Sequence, residues 1–193
     1  MPVRAGPPSP PWRGPSYRRG MDEAHDGETV AGSLADWLAA LTFSDQGTDQ
    51  VTALLADAVA DWAAAQGWRV YRRAKSVLPL PPPYQHRHSY LDVACARPAG
   101  APIAIEIDHT DRRRTVDKLL AEAAEGRIAL WVRWGTRGFE PPPPPVHMVT
   151  CPVTSRPGPD RNRLYSHLPP AHRPAPTHTT ADLQDARQPD LFG

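Results

Sequence analysis

Ser89-Tyr90-Leu91-Asp92-Val93-Ala94-Cys95 and Ile103-Ala104-Ile105-Glu106-Ile107-Asp108 are the two stretches that decide how this chain reads. Each alternates with the period of a strand, so Leu91, Val93 and Cys95 share one face while Tyr90, Asp92 and Ala94 share the other. Ile103, Ile105 and Ile107 likewise oppose Ala104, Glu106 and Asp108. Three carboxylates are thereby expected on one face of neighbouring strands. An ionised carboxylate taken out of water costs several kcal/mol unless it is paired or coordinates a metal, so the cluster calls for a cation.

Outward from these strands, residues 48–66 place Val51, Leu54, Leu55, Ala58, Val59 and Trp62 at helical spacing, with Asp45, Thr48 or Asp49 as caps and Gly67 as a stop. Residues 33–41, with Leu34, Trp37, Leu38 and Leu41 on one stripe, predict a shorter helix whose tryptophan, like Trp62, belongs to the core. Residues 68–72 alternate as a strand, and the prolines of 79–83 then demand a loop. Residues 114–125 predict a helix with Val116, Leu119, Leu120 and Ala123 inward and Gly126 at its end. Residues 127–134 return as a strand, and 146–151 add an edge strand. The order is αβββαβ, an α/β fold with a mixed central sheet flanked by helices.

Proline sets the limits of the folded body. Of 25 prolines, six lie in residues 1–20, five fill 141–145 and eight are scattered over 152–189, which excludes helix or central strand there. The expected division is a disordered Arg/Pro-rich segment at 1–27, one α/β domain at 28–152 and a disordered proline-rich tail at 153–193. Met21 is a candidate initiator, with the preceding residues a mistaken start. No apolar run reaches the length of a membrane span and the Arg/Pro-rich start lacks a secretory apolar segment, so a cytoplasmic protein is expected. Cys95 and Cys151 make neither a disulfide framework nor a CxxC metal pattern.

Charge is nearly balanced overall and divided along the chain. Residues 22–66 carry nine acidic residues and no Lys or Arg, whereas 67–137 carry thirteen Lys/Arg against seven Asp/Glu. A basic segment that also holds the carboxylates suits a polyanion such as nucleic acid, whose phosphates meet the arginines.

An Asp on the second strand and a Glu on the third, in this element order, resemble the PD-(D/E)XK superfamily of restriction-endonuclease-like nucleases over about residues 48–135. The resemblance implies a Mg²⁺ (or Mn²⁺) ion held by Asp92, Glu106 and the main-chain carbonyl of Ile107, and phosphodiester hydrolysis in DNA, in repair or defence. The motif lysine two positions after the Glu is replaced by Asp108, which is then either a third ligand or the partner of Arg112, Arg113 or Arg114. Some members carry the basic residue on the following helix, where Lys118 stands. Lys75 is the only other lysine of the chain. Arginine cannot release its proton at usable pH, so a lone helix lysine marks a place for a compact, tunable cation. The other reading of Lys118 is a solvated helix residue near Asp117 and Glu122.

Arg112, Arg113 and Arg114, at the helix entrance, are candidates for a flanking phosphate, together with the helix N–H groups. Asp57 and Asp61, one turn apart on the long helix, are either an extra acid of the site or a solvated flank. His86 and His88 with Asp92 offer a weaker zinc pattern, and His147, His167, His172 and His178 carry little information. The end, Gln188-Pro189-Asp190-Leu191-Phe192, resembles the pentapeptide by which bacterial repair and replication proteins bind the sliding clamp; the alternative is docking on the protein's own core. Two rivals stand beside the nuclease: a catalytically inactive domain of the same fold that binds nucleic acid or a protein through its basic face, and an adaptor with no nucleic-acid role.

Overall fold

A computed structural model describes residues 16–168, with side chains from His25 onward apart from that of Asp160. Three α-helices, α1 (Ser16–Ala39), α2 (Thr48–Ala65) and α3 (Arg113–Ala124), accompany ten strands among the described residues. Five of these strands, β2 (Arg69–Arg72), β5 (Val93–Ala96), β6 (Ile103–Asp108), β7 (Ile128–Gly135) and β8 (His147–Pro152), form a mixed sheet in the order β2-β5-β6-β7-β8. The β2/β5 and β5/β6 pairs are antiparallel; the β6/β7 and β7/β8 pairs are parallel. A parallel pair requires a crossover, and α3 supplies it between β6 and β7.

Every residue of β6 and β7 is buried, as expected of strands covered on both faces. On one face Ile103, Ile105, Ile107, Leu130, Val132 and Trp134 meet Leu34 and Leu38 of α1 and Val51, Leu55, Val59 and Trp62 of α2. On the other, Ala129 and Trp131 meet Leu119 of α3 and Val146, so the 136–146 connection crosses on the α3 side. Trp62 donates its indole N–H to Ser33 Oγ at 3.1 Å, tying α2 to α1. Gly27 sits where α1 crosses the His147 ring, and a Cβ there would collide with that ring.

Helix α2 begins at Gly47, whose N–H donates to Gln50 Oε1 at 2.8 Å, and none of Asp45, Thr48 and Asp49 is its capping side chain. Gly67 ends it with φ +73°, and Gly126 (φ +77°) ends α3; both are left-handed positions that favour glycine. Trp37 departs from its predicted core place, being 40% exposed.

The larger departures lie at the limits. Helix α1 starts at Ser16, inside the segment expected to be disordered, and runs far ahead of position 33. The body also continues past residue 152: β9 (Thr154–Pro157) and β10 (Arg163–His167) form a second sheet with β1 (Phe43–Gln46), in the order β1-β10-β9. Proline was no obstacle there, because the prolines fall at strand ends and on an edge strand. The expected 89–95 strand is two, β4 (His88–Tyr90) and β5, parted at Leu91-Asp92. Strand β4 pairs with β3 (Lys75–Pro79), a strand the proline loop had hidden, in a hairpin outside the main sheet. The clamp-like residues Gln188, Asp190, Leu191 and Phe192 lie outside the described residues, as do His172 and His178. No described helix is long and apolar enough to cross a membrane.

Candidate active site

Register brings the acids together. Strand β5 pairs with β6 as Val93↔Ile105 and Ala94↔Ala104, so Asp92, one residue before β5, falls opposite Glu106 and on its face of the sheet. The kink at Leu91-Asp92 leaves the Ile107 N–H without a strand partner, and Asp92 Oδ2 accepts it at 2.8 Å. A side chain thus stands in for a missing ladder bond. The N–H and C=O of one strand residue point to the same side, so the Ile107 carbonyl faces the same gap.

Lys118 enters from α3, whose Thr115 and Leu119 are buried against the sheet. Its ammonium donates to Glu106 Oε1 at 2.8 Å and to the Tyr90 carbonyl at 2.7 Å. Both side chains of the ion pair are nearly covered, Lys118 at 12% and Glu106 at 7% exposure. This is not a solvated helix lysine. One of its three N–H groups is left for the cleft, as are Oδ1 of Asp92 and Oε2 of Glu106.

The cleft of about 500 Å³ is walled by Asp92, Glu106, Ile107, Asp108 and Lys118, with Arg112 and Arg114 at its rim and Thr48, Asp49 and Thr52 of α2 opposite. Asp108 is turned partly away: Trp131 Nε1 donates to its Oδ2 at 3.1 Å, and Arg112 Nε stands 3.9 Å from Oδ1. Its pairing with Arg112 is therefore loose, and its carboxylate is fixed by the sheet. Arg114 donates to the Pro79 carbonyl at 2.7 Å, while Arg113 does not line the cleft. Among the described residues no three His, Cys, Asp or Glu side chains are grouped as a ready metal-ligand set. Neither Asp92, Glu106 and Asp108, the three carboxylates expected on one face, nor His86, His88 and Asp92 are so gathered, and both histidines are exposed on or beside β4.

Of the two acids expected on α2, Asp57 pairs with exposed Arg72 at 2.7 Å and Asp61 lines a groove against α1 with Trp37. Asp49 is the α2 acid that reaches the cleft. His109 was missed as well. It lines the cleft, stacks on Trp134 with centroids 4.2 Å apart, and its Nε2 lies 3.3 Å from the Tyr165 hydroxyl, so β10 supports the ring from behind. Its position next to Asp108 was the available signal.

Burial lifts the Glu106 carboxyl to about 7, with the Asp92 and Asp108 charges adding and the Lys118 hydrogen bond opposing. Burial also raises Asp92, against the Ile107 N–H, which lowers it. The pair is short of positive charge: one ammonium faces two desolvated carboxylates. Cys95 and Cys151 are buried, which pushes their thiols up to about 11 and keeps them unreactive.

The sign of the pH effect follows. An unfolded Glu loses its proton near 4.5 while folded Glu106 keeps it to about 7, so the native state binds the extra proton between those values. Stability contributed by this group is whole below 4.5 and falls as pH rises through 7, by roughly 3 kcal/mol in all; Asp92 acts in the same direction. Urea unfolding of wild type and Glu106→Gln from pH 4.5 to 8 is expected to show the wild type losing about that much relative to the variant. Parallel curves would contradict it.

Comparisons of this chain with protein-family models, with curated proteins and with solved structures return no match.

Proposed function

We propose that this chain hydrolyses phosphodiester bonds in DNA with the help of a divalent cation, on a restriction-endonuclease-like core. The observation that carries the reading is the convergence of Asp92, Glu106 and Lys118 in one cleft, from a strand start, a strand and the following helix. The element order α2, β2, β5, β6, α3, β7 supports the same core.

The donors fit a hard cation. Asp92 Oδ1, Glu106 Oε2 and the Ile107 carbonyl would hold it, an all-oxygen set carrying two charges that burial leaves undercompensated. When bound, Mg²⁺ or Mn²⁺ supplies a lowered pKa for its water and neutralises charge developing on the phosphate. The chain's own residues do the rest. Glu106 and the Tyr90 carbonyl aim Lys118, whose remaining N–H is available to a phosphate oxygen or the attacking water. Lys118 thereby takes the place of the cation that Asp108 cannot supply. Arg112, 72% exposed in its side chain at the cleft mouth, is positioned for a neighbouring phosphate.

A catalytically inactive binder with this core is favoured by one observation: Asp108 occupies the usual lysine position and is held by Trp131. Supercoiled plasmid and single-stranded DNA incubated with Mg²⁺ or Mn²⁺ separate the two. The wild type is expected to cleave, and Glu106→Gln to cleave at least about a hundredfold more slowly. Mn²⁺ is also expected to raise the melting temperature of the wild type and not of the variant. Absence of both effects would discard the hydrolytic reading, and equal cleavage by both proteins would assign it to a contaminant.

A further inference from the structure

The 30 residues from 62 to 91 contain five Lys/Arg and no Asp/Glu, and beyond the end of α2 the structure folds them into the sheet edge and the hairpin beside the cleft. Three tyrosines on this surface are exposed where rings would ordinarily be covered: Tyr71 at 44%, Tyr84 at 52% and Tyr90 at 46%. Each is attended by an arginine. Arg73 lies 5.7 Å from the Tyr90 ring centroid, Arg87 lies 5.5 Å from that of Tyr84, and Arg69 donates to the Tyr71 hydroxyl at 3.3 Å.

The surface is continuous with the candidate site. Tyr71 pairs with Ala94, which pairs with Ala104, so the ring projects on the sheet face that carries Glu106. Strand β4 runs toward the cleft: the Tyr90 carbonyl holds Lys118, the Leu91 N–H donates to the Ala74 carbonyl and Asp92 follows. Opposite it in the hairpin, Lys75 pairs with Tyr90 on the exposed side, while Ser76 and Ser89 are buried.

We propose that Tyr71, Tyr84 and Tyr90, each with its arginine, form a stacking platform that leads unpaired nucleic acid into the Asp92, Glu106 and Lys118 cleft. Exposed rings backed by guanidinium groups offer π-faces to bases and charge to phosphates, and only unstacked bases can use the rings. A duplex would meet the arginines alone. The inference rests on the hydrolytic reading for its direction, and on the platform's own residues for binding.

Binding is therefore measured without cleavage. Glu106→Gln is titrated in EDTA against a fluorescent oligothymidylate of about twenty nucleotides, more than one stacking site requires, and against a duplex of the same length. Tyr71→Ala, Tyr84→Ala and Tyr90→Ala are each expected to weaken single-strand binding by about tenfold and to leave duplex binding unchanged, with the Phe variants near the parent. Melting temperatures matched to the parent exclude a folding effect, since all three rings lie at the surface. Single-strand affinity unmoved by the Ala variants, or equal losses on both probes, would overturn the platform. Should no DNA be cut by the wild type while the tyrosine effects persist, the hydrolytic reading falls and the platform stands.

Discussion

Lys118→Ala is expected to lower the rate of DNA cleavage by roughly a hundred- to ten-thousandfold, the range for removal of a positioned proton donor or charge stabiliser. The side chain is nearly covered, and its two fixed bonds, to Glu106 and the Tyr90 carbonyl, aim it into the cleft. Lys118→Arg is expected to recover little, because a planar fork cannot take the place of a compact ammonium between a carboxylate and a carbonyl. The loss should fall on kcat, with DNA affinity in EDTA nearly unchanged, whereas a merely structural lysine would move affinity and melting temperature together. A second readout is the pH profile. The Lys118 hydrogen bond lowers the Glu106 pKa against the effect of burial, so its removal lets Glu106 rise above about 7. The acid limb of any residual activity, and of Mn²⁺-induced stabilisation, should then move to higher pH. A limb that stays in place would show that the pair does not couple.

The second large effect concerns stability. Glu122 is wholly buried, on the inner side of α3. Its Oε1 accepts from Ser76 Oγ at 2.6 Å and from the Val77 N–H at 2.8 Å, and its Oε2 pairs with Arg127. A single carboxylate therefore joins the β3–β4 hairpin to the crossover helix and to the start of β7. Glu122→Ala leaves a main-chain N–H, a hydroxyl and a half-buried guanidinium without their partner, and is expected to cost about 3–5 kcal/mol. Glu122→Gln keeps a carbonyl oxygen for Ser76 and Val77, loses only the acceptor for Arg127 and should cost less. Urea unfolding gives both values. A loss from Glu122→Ala within about 1 kcal/mol of zero, the usual worth of a surface ion pair, would mean that the hairpin is held by other contacts.

The elements legible in the sequence were those with one strong period and two faces to satisfy. Helix α2, strands β6 and β7 and helix α3 appear within a residue or two of their expected bounds, because their apolar residues are spaced for burial and a glycine ends each helix. Strands β3 and β9 were not legible, since their exposed, polar and proline-containing residues satisfy edge pairing rather than a core, and β10, the middle strand of the small sheet, has only Tyr165 buried and lies among the scattered prolines of 152–189. The kink at Leu91-Asp92 was hidden for a different reason: alternation continues through it, and only the tertiary position of the Ile107 N–H shows why the ladder stops there.

In the site, the shared face of Asp92 and Glu106 followed from alternation alone. The approach of Lys118 did not, for a helix lysine one turn in is compatible with solvent until the helix's docking is known. Asp108 was ambiguous in sequence because its partner, Trp131, is 23 residues away on the neighbouring strand. Glu122 entered the sequence reading only as a neighbour of Lys118, since nothing local announces Ser76 and Val77 as its donors, which lie more than 40 residues earlier.

One ammonium, that of Lys118, spans the main chain beneath an exposed tyrosine and the carboxylate at the bottom of the cleft. That one group is the physical route by which the two places can feel each other. If a ligand at the ring alters the grip of the cleft on a cation, reciprocity requires that the cation alter the grip on that ligand by the same factor.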